Sequence, residues 1–472
     1  MSVSGSESGK ESIRSAASGT LLIRALGILL LFASTTLTAK LLGPAEYGTY
    51  SAGLSLAMLL ATLAPLGTDR ILIRNLSIRP SLDDAAPEVR LTHRCALLVS
   101  GALLAGCLVI ALLCHQLRLY PWRETTLLAA LMFGPLTLTY LRQWIAIPLI
   151  GTRRAVMPEQ ILIPGCSLIL LPGLFLLMPS ALTARTAALL FSGLTITVWG
   201  LTSCHGVLKP LYSAAIASNI LPNGALRDRF HAGLPFVFVA VGGILCQRSI
   251  PLAVAAGCSF ADTAQLSYAM LIAGLPSIPL GLLNMSLIPG FARLYHSGRN
   301  DESRVLARNA ATLIFLISTA LCAAIMVASP LFVRILGIQW QTVTVLLPAL
   351  LLATIVDCLT GPTIPVMQTS GMERAYSRLL FAYIPLQLVL LYVFSRMAAV
   401  EGAALAYLLG RCIWNILVVV MIYRQRSLIM LPSLQSLRDG LAMIQKRFLS
   451  AAGTAGSGQP MPLAESGGRH IV

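Results

Sequence analysis

The stretch T-L-L-I-R-A-L-G-I-L-L-L-F-A-S-T-T-L-T-A-K-L-L, Thr20 to Leu42, decides the fold class. It holds 23 residues and only two charges. At about 1.5 Å per residue, roughly 20 apolar residues in a helix cross the ~30 Å hydrocarbon core of a bilayer. The small residues from Ser34 to Ala39 resemble a signal-peptide cleavage region, but a long polar tail precedes the block and apolar sequence continues past it. It therefore reads as a membrane span. Further blocks of similar length fall near 49–68, 95–114, 125–149, 160–178, 184–205, 232–256, 265–289, 309–330, 343–367, 379–396 and 402–423, twelve spans in all.

Composition supports this reading. Of 472 residues, 56% are hydrophobic and 11% charged, against about 25% charged in a soluble domain. The mean hydropathy is +0.80. So little charge cannot cover a water-exposed surface, which excludes a soluble enzyme, a disordered chain and a secreted disulfide scaffold. The ten cysteines lie in or beside apolar segments and form no C-x-x-C pair, so they read as small buried hydrophobes. The fold class is an all-α polytopic membrane protein of about twelve transmembrane helices.

The net charge of +16 would suggest nucleic acid in a soluble protein. In a membrane protein it points to basic cytoplasmic loops. The loops after even-numbered spans, with both tails, hold 24 Lys and Arg, against 6 in the opposite loops. Both termini should then be cytoplasmic, as an even number of spans requires. The expected organisation is a flexible cytoplasmic tail over 1–18, a six-helix bundle over 19–205, a cytoplasmic linker over 206–231 and a second six-helix bundle over 232–424. Leu434, Leu437, Leu441, Ile444 and Phe448 recur at spacings of three and four. That stripe predicts an amphipathic cytoplasmic helix over 433–450, lying on the inner leaflet or frayed in solution. A disordered Gly/Ser/Pro tail follows over 451–472.

Catalytic signatures are missing. No G-x-x-x-x-G-K-[ST] loop or H-E-x-x-H motif is present. Asp83–Asp84 stands alone in a basic loop and reads as a solvated pair. The outer loops offer little beyond Glu46, Glu124, Asp262 and Glu401, too few to place two acids around a pocket. The sequence implies no enzyme, cofactor or metal.

Polar residues within the spans carry the functional signal, because charge at mid-bilayer is costly and usually faces a cavity or a partner. Arg142 lies inside span four, Arg248 inside span seven beside Gln247, and Arg411 inside span twelve near Asn415. Arg24 lies nearer the cytoplasmic end of span one, where it either snorkels to headgroups or lines the same cavity. Asp357, in span ten, is the one acid near the middle of a span. A buried pair such as Arg248–Asp357 accounts for one arginine and leaves positive charge over. A cationic cavity without an ATP site suits an anionic substrate, and guanidinium forks favour phosphate or diphosphate. Asp357 is the candidate for a proton- or cation-linked switch. Prolines 65, 135, 164, 235, 276 and 279 allow bends in the spans.

The run L-L-G-P-A-E-Y-G-T-Y from Leu41 and the run L-G-T-D-R-I-L-I-R from Leu66 to Arg74 resemble the opening of O-antigen and polysaccharide flippases. These belong to the multidrug/oligosaccharidyl-lipid/polysaccharide exporter superfamily. Gly43, Pro44, Glu46, Tyr47 and Gly48 match the family's outer turn between spans one and two. In the second half, L-S-Y-A from Leu266, Leu275–Pro276, Ile288–Pro289 and S-G-R-N-D-E-S-R to Arg304 are similar to lipid II flippases. L-F-V-R-I-L-G (331–337) and G-M-E-R (371–374) fit both branches. One departure is Gln247–Arg248, where polysaccharide flippases often carry an acid in span seven. The resemblance implies two pseudosymmetric six-helix bundles around a central cleft lined by spans one, two, seven and eight, with alternating access.

The expectation is an inner-membrane flippase for an undecaprenyl-diphosphate-linked oligosaccharide (an O-antigen, capsule or exopolysaccharide repeat) in the bacterial plasma membrane. Arg24, Arg142, Arg248 and Arg411 would bind the diphosphate. Its partners would be that glycan lipid, membrane lipids and the polysaccharide polymerase machinery, with no nucleic acid. The alternatives are a lipid II flippase, a cation-coupled drug antiporter of the same superfamily and, last, a polysaccharide polymerase or ligase, which should show a large outer loop.

Overall fold

A computed structural model describes residues 4–78, 82–178, 182–206, 208–217, 225–281, 300–363 and 372–426, with 283, 287, 291, 366, 367 and 432. Among them there is helix and no strand. The expected amphipathic helix over 433–450, the tail over 451–472 and Ile288–Pro289 lie outside the described residues.

Helix α1 runs Ser4–Leu63 and breaks at Gly43, whose φ of 74° and ψ of 171° suit a residue without a side chain. Pro44 follows and lacks the N–H that a continuous helix would use. Its apolar part, Ile23–Leu63, has 41 residues, about twice the length one crossing needs. The Gly-Pro pair thus converts one helix into spans one and two. At the start of the chain the helix extends back to Ser4, where the polar composition predicts a flexible tail.

Helices α2 (Thr68–Ile78), α3 (Leu82–Gln116) and α4 (Tyr120–Ile150) follow. Helix α5 (Thr152–Met157) passes through a π turn at Pro158–Leu162 into α6 (Ile163–Leu177). Helix α7 (Ala184–Ser203) is capped by Thr183, whose hydroxyl accepts from Thr186 N. The expected linker contains α8 (Leu208–Ala217) and the start of α9 (Ala225–Gly257). Then come α10 (Phe260–Gly274), α11 (Asn300–Leu336), α12 (Thr342–Leu359) and α13 (Glu373–Arg426). Helix α13 breaks at Ala398–Ala399, so its 51-residue apolar part also supplies two spans.

Seven stretches of helix are long and apolar enough to cross a membrane. Counting both arms of α1 and of α13, and adding α4, α9 and α10, each of the twelve spans read from the sequence falls at least in part on helix among the described residues. α4 and α9 run to 31 and 33 residues, long enough to cross a bilayer. Leucines such as Leu97, Leu104, Leu108 and Leu112 on α3 face outward. A bilayer accommodates that face and water would not.

In the first half, α4 packs against α1, α3 and α7; in the second, α13 packs against α9 and α12. The halves meet where α1 lies on α9 and α10. The closest approach is at the Gly43 end. A Cβ on Gly48 would lie 1.8 Å from the Phe260 carbonyl oxygen. Around it, Tyr47 meets Trp340 edge-on at 5.7 Å, Trp340 meets Tyr268 at 5.5 Å, and Trp122 meets Phe260 at 5.5 Å. Thr36 and Tyr268 share a hydrogen bond of 2.9 Å across the seam. Trp340 is fully buried, so this end is sealed by aromatic packing.

At the opposite end, Arg229 of α9 pairs with Glu88 of α3 and reaches Thr92 Oγ1 at 3.5 Å. A Cβ on Gly233 would lie 2.5 Å from the Leu66 carbonyl oxygen. The first turns of α9 are thus fastened to the first half. Further along, Gly242 packs on Leu380 and Gly257 on Ser395, both of the second half.

Gly48→Ala should force the seam apart and destabilise the protein by about 2 kcal/mol, as overpacking does. Gly101→Ala, with open space around it, should not. Thermal unfolding of the purified variants in detergent checks this.

Candidate functional site

The candidate arginines occupy three different environments. In the first half, Arg142 is 3% exposed and donates from Nη1 to the Ala155 carbonyl at 3.2 Å. That carbonyl is available because α4 ends at Gly151 and the chain turns back through α5 beside it. Its Nε has no partner. Glu159, in the π turn after Pro158, and the Tyr212 hydroxyl lie within electrostatic range. The turn also contacts α1, since a Cβ on Gly27 would lie 2.8 Å from Gln160 Cβ. Half-buried Arg24 sits about one turn before Gly27 on that helix.

Arg411 is in the second half and is paired. Its Nε lies 2.9 Å from both Oδ1 and Oδ2 of Asp357, and its Nη2 contacts Oδ2. Asn415 Nδ2 donates to Asp357 Oδ1 at 2.6 Å, and Thr360 Oγ1 donates to Asn415 Oδ1 at 2.6 Å. Spacing explains the arrangement. Arg411 and Asn415 stand one turn apart on a single face of α13, opposite Asp357 on the last turn of α12. The Arg248–Asp357 pair considered from the sequence does not form; Asp357 is spent on Arg411. The carboxylate's acceptor sites are engaged by a guanidinium and an amide, which leaves the pair neutral.

Arg248 is the third case. It sits on α9, half-buried, about 14 Å along the helix from Gly257 at ~1.5 Å per residue. Its electrostatic neighbour is Tyr47 of α1, across the seam. Among the described residues no acid pairs with it. Gln247 beside it is exposed. Helix α9 thus brings Arg248 to the boundary between the halves, near mid-membrane, with no acid paired to it among the described residues.

Arg142, Arg411 and Arg248 thus have different immediate neighbours. Sequence reasoning also passed over Glu159 and Asp69. Glu159 follows Pro158 at the edge of a predicted span, which was the available signal. Asp69, 2% exposed, holds Arg70 at 3.6 Å, and Arg70 lies 4.5 Å over the Trp144 ring. At the Gly43 end Glu46 Oε2 accepts from Ala184 N at 2.6 Å, and Arg185 makes a forked pair with Glu124. There the Glu124 carboxyl is held below its usual range by the Arg185 hydrogen bonds. Of the cysteines, Cys95, Cys107, Cys322 and Cys358 are buried, five are half-buried, and Cys204 is exposed. Among the described residues no three His, Cys, Asp or Glu side chains come together.

No family model matches the sequence, and no curated protein does. Solved structures do match. An inward-facing conformation of a multidrug resistance MATE family transporter of the MOP superfamily is similar at a TM-score of 0.68 and 16% identity, over 87% of this chain and 98% of that one. An outward-facing conformation of such a transporter is similar at 0.55 and 14% identity, over 87% and 95%. A MOP superfamily transporter from Pyrococcus furiosus Vc1, described as having a binding pocket of reversed polarity, is similar at 0.59 and 14%, over 87% and 95%. The chain has the fold of this superfamily: two helical bundles with a seam between them.

Asp357→Ala should destabilise the protein by about 3 kcal/mol, because it strands a buried guanidinium. The double variant Asp357→Asn/Arg411→Gln should recover most of that loss. Melting temperatures of the three proteins in one detergent test it, and equal losses would refute the pairing.

Proposed function

We propose that this protein is a flippase that moves a diphosphate-linked glycan lipid, of the undecaprenyl type, across the bacterial inner membrane by alternating access. The observation that carries the reading is Arg248. It is a half-buried guanidinium at the seam near mid-membrane, with no acidic partner among the described residues. A buried positive charge without a counter-ion is costly, and a diphosphate entering from the membrane supplies the counter-ion. The lipid tail stays in the bilayer while the headgroup crosses. A potential negative inside favours outward movement of an anion.

The sealed Gly43 end and the higher score against an inward-facing structure fit a state awaiting its ligand from the cytoplasm. The basic loops support that orientation. Arg142 and Arg24 stand nearer the cytoplasmic end, and the reading gives them a role as the headgroup enters. A lipid II headgroup has the same diphosphate chemistry. An antiporter for cationic drugs fits the fold equally well, but it needs an accessible acid in the cavity, and Asp357 is satisfied by Arg411 and Asn415. On this reading Asp357 positions Arg411 and does not carry the coupling ion. The polysaccharide polymerase machinery would take over the flipped product.

Deletion in the source bacterium should abolish surface polymer and let completed lipid-linked repeats accumulate inside. The wild-type gene should restore the polymer, and Arg248→Ala should cut export by about tenfold or more, the cost of one charged contact. Single repeats reaching the surface unpolymerised would identify a polymerase. Normal polymer with lost resistance to cationic dyes would identify a drug antiporter.

A further inference from the structure

The Asp357–Arg411 pair has properties that a diphosphate site does not need. The guanidinium presents Asp357 with its Nε/Nη2 edge. Its hydrogen bonds among the described residues use Nε and Nη2 and leave Nη1 over, and 27% of the side chain is exposed. The Nη1/Nη2 edge is therefore held in place and available. A neutral pair attracts a dianion weakly, since the carboxylate cancels most of the arginine's field. It offers directed donors, and the amide and hydroxyl of Asn415 and Thr360 stand behind it.

The surroundings are aromatic. Tyr376 and Tyr383 pack on Trp414 with ring centroids 6.0 and 4.9 Å away. Tyr376, Tyr383 and Tyr407 all lie within electrostatic range of Arg411. Depth matters too. Arg411 lies about 16 Å along α13 from Val400, close to the depth of Arg248 on α9. Cys246 of α9 lies within range of Arg411, and Arg248, two residues on, leaves the helix on the opposite side, toward Tyr47.

From this juxtaposition we propose that Arg411, positioned by Asp357 and Asn415 and bordered by half-buried Tyr376 and Tyr407, forms a carbohydrate subsite that binds the hydroxyls of the glycan while Arg248, across α9, takes the diphosphate. Sugars present paired hydroxyls that accept from a guanidinium edge, and C–H faces that pack on aromatic rings. Hydroxyls buried at mid-membrane need such partners. A site built around hydroxyls also discriminates against ligands that lack them.

This inference rests on the flippase reading, and its test separates the two. The whole protein in lipid nanodiscs is titrated with undecaprenyl diphosphate and with undecaprenyl diphosphate–N-acetylglucosamine. Wild type should bind the sugar-bearing lipid about tenfold more tightly, the equivalent of roughly one charged hydrogen bond. Arg411→Gln/Asp357→Asn, which removes both charges together and so avoids a lone buried charge, should lose that margin while keeping its affinity for the sugarless lipid. Tyr376→Ala should reduce the margin without disturbing the ion pair. Arg248→Gln should weaken both lipids alike. The subsite is refuted if wild type binds both lipids equally, if the double variant keeps the margin, or if it weakens both lipids to the same degree. If wild type binds neither lipid, the flippase reading fails first.

Discussion

Hydrocarbon offers no partner to a charge or a hydrogen-bonding group, and the organisation of this protein follows from that. Helix satisfies the backbone within each span. Each mid-span ionic side chain must then find a counter-charge, find a carbonyl or wait for a ligand. Arg411 finds Asp357, Arg142 finds a carbonyl where α4 turns back into α5, and Arg248 is left at the seam. Isolated charge is costly in that setting, and among the described residues Arg248 is without an acidic partner.

The same constraint shapes the contact between the halves. The Gly43 end is closed by aromatic edges and by a glycine backbone lying against a carbonyl. Such contacts separate without stranding a charge in lipid. The opposite end uses Arg229–Glu88, near the headgroup region, where an ion pair can open toward water. Helix α9 is fastened to the first half at its start and to the second half further along. Rocking of the halves would therefore load α9, which also carries Arg248.

Pairing changes what each arginine can do. On the proposed reading, a free Arg411 would compete with Arg248 for the diphosphate. Neutralised by Asp357, it becomes a directed donor in an aromatic setting. The chemistry of a polar residue in a membrane thus depends less on its type than on its counter-ion.

Length, hydropathy and the positions of Arg and Lys were enough to read twelve spans, the two halves and the expected orientation. Those properties are set within each segment by helix rise and bilayer thickness. The turn at Gly43–Pro44 was legible through the family resemblance, and its physical cause, a glycine followed by proline, acts locally. The partners of the charged side chains were not legible. Asp357 and Arg411 are 54 positions apart, and Arg248 was an equally good mate by composition. Only the packing of α12 on α13 brings the carboxylate to one guanidinium and not the other. Tertiary structure also decided which neighbour each arginine meets, because the helical rotation that turns each side chain to its neighbour is fixed by contacts between helices.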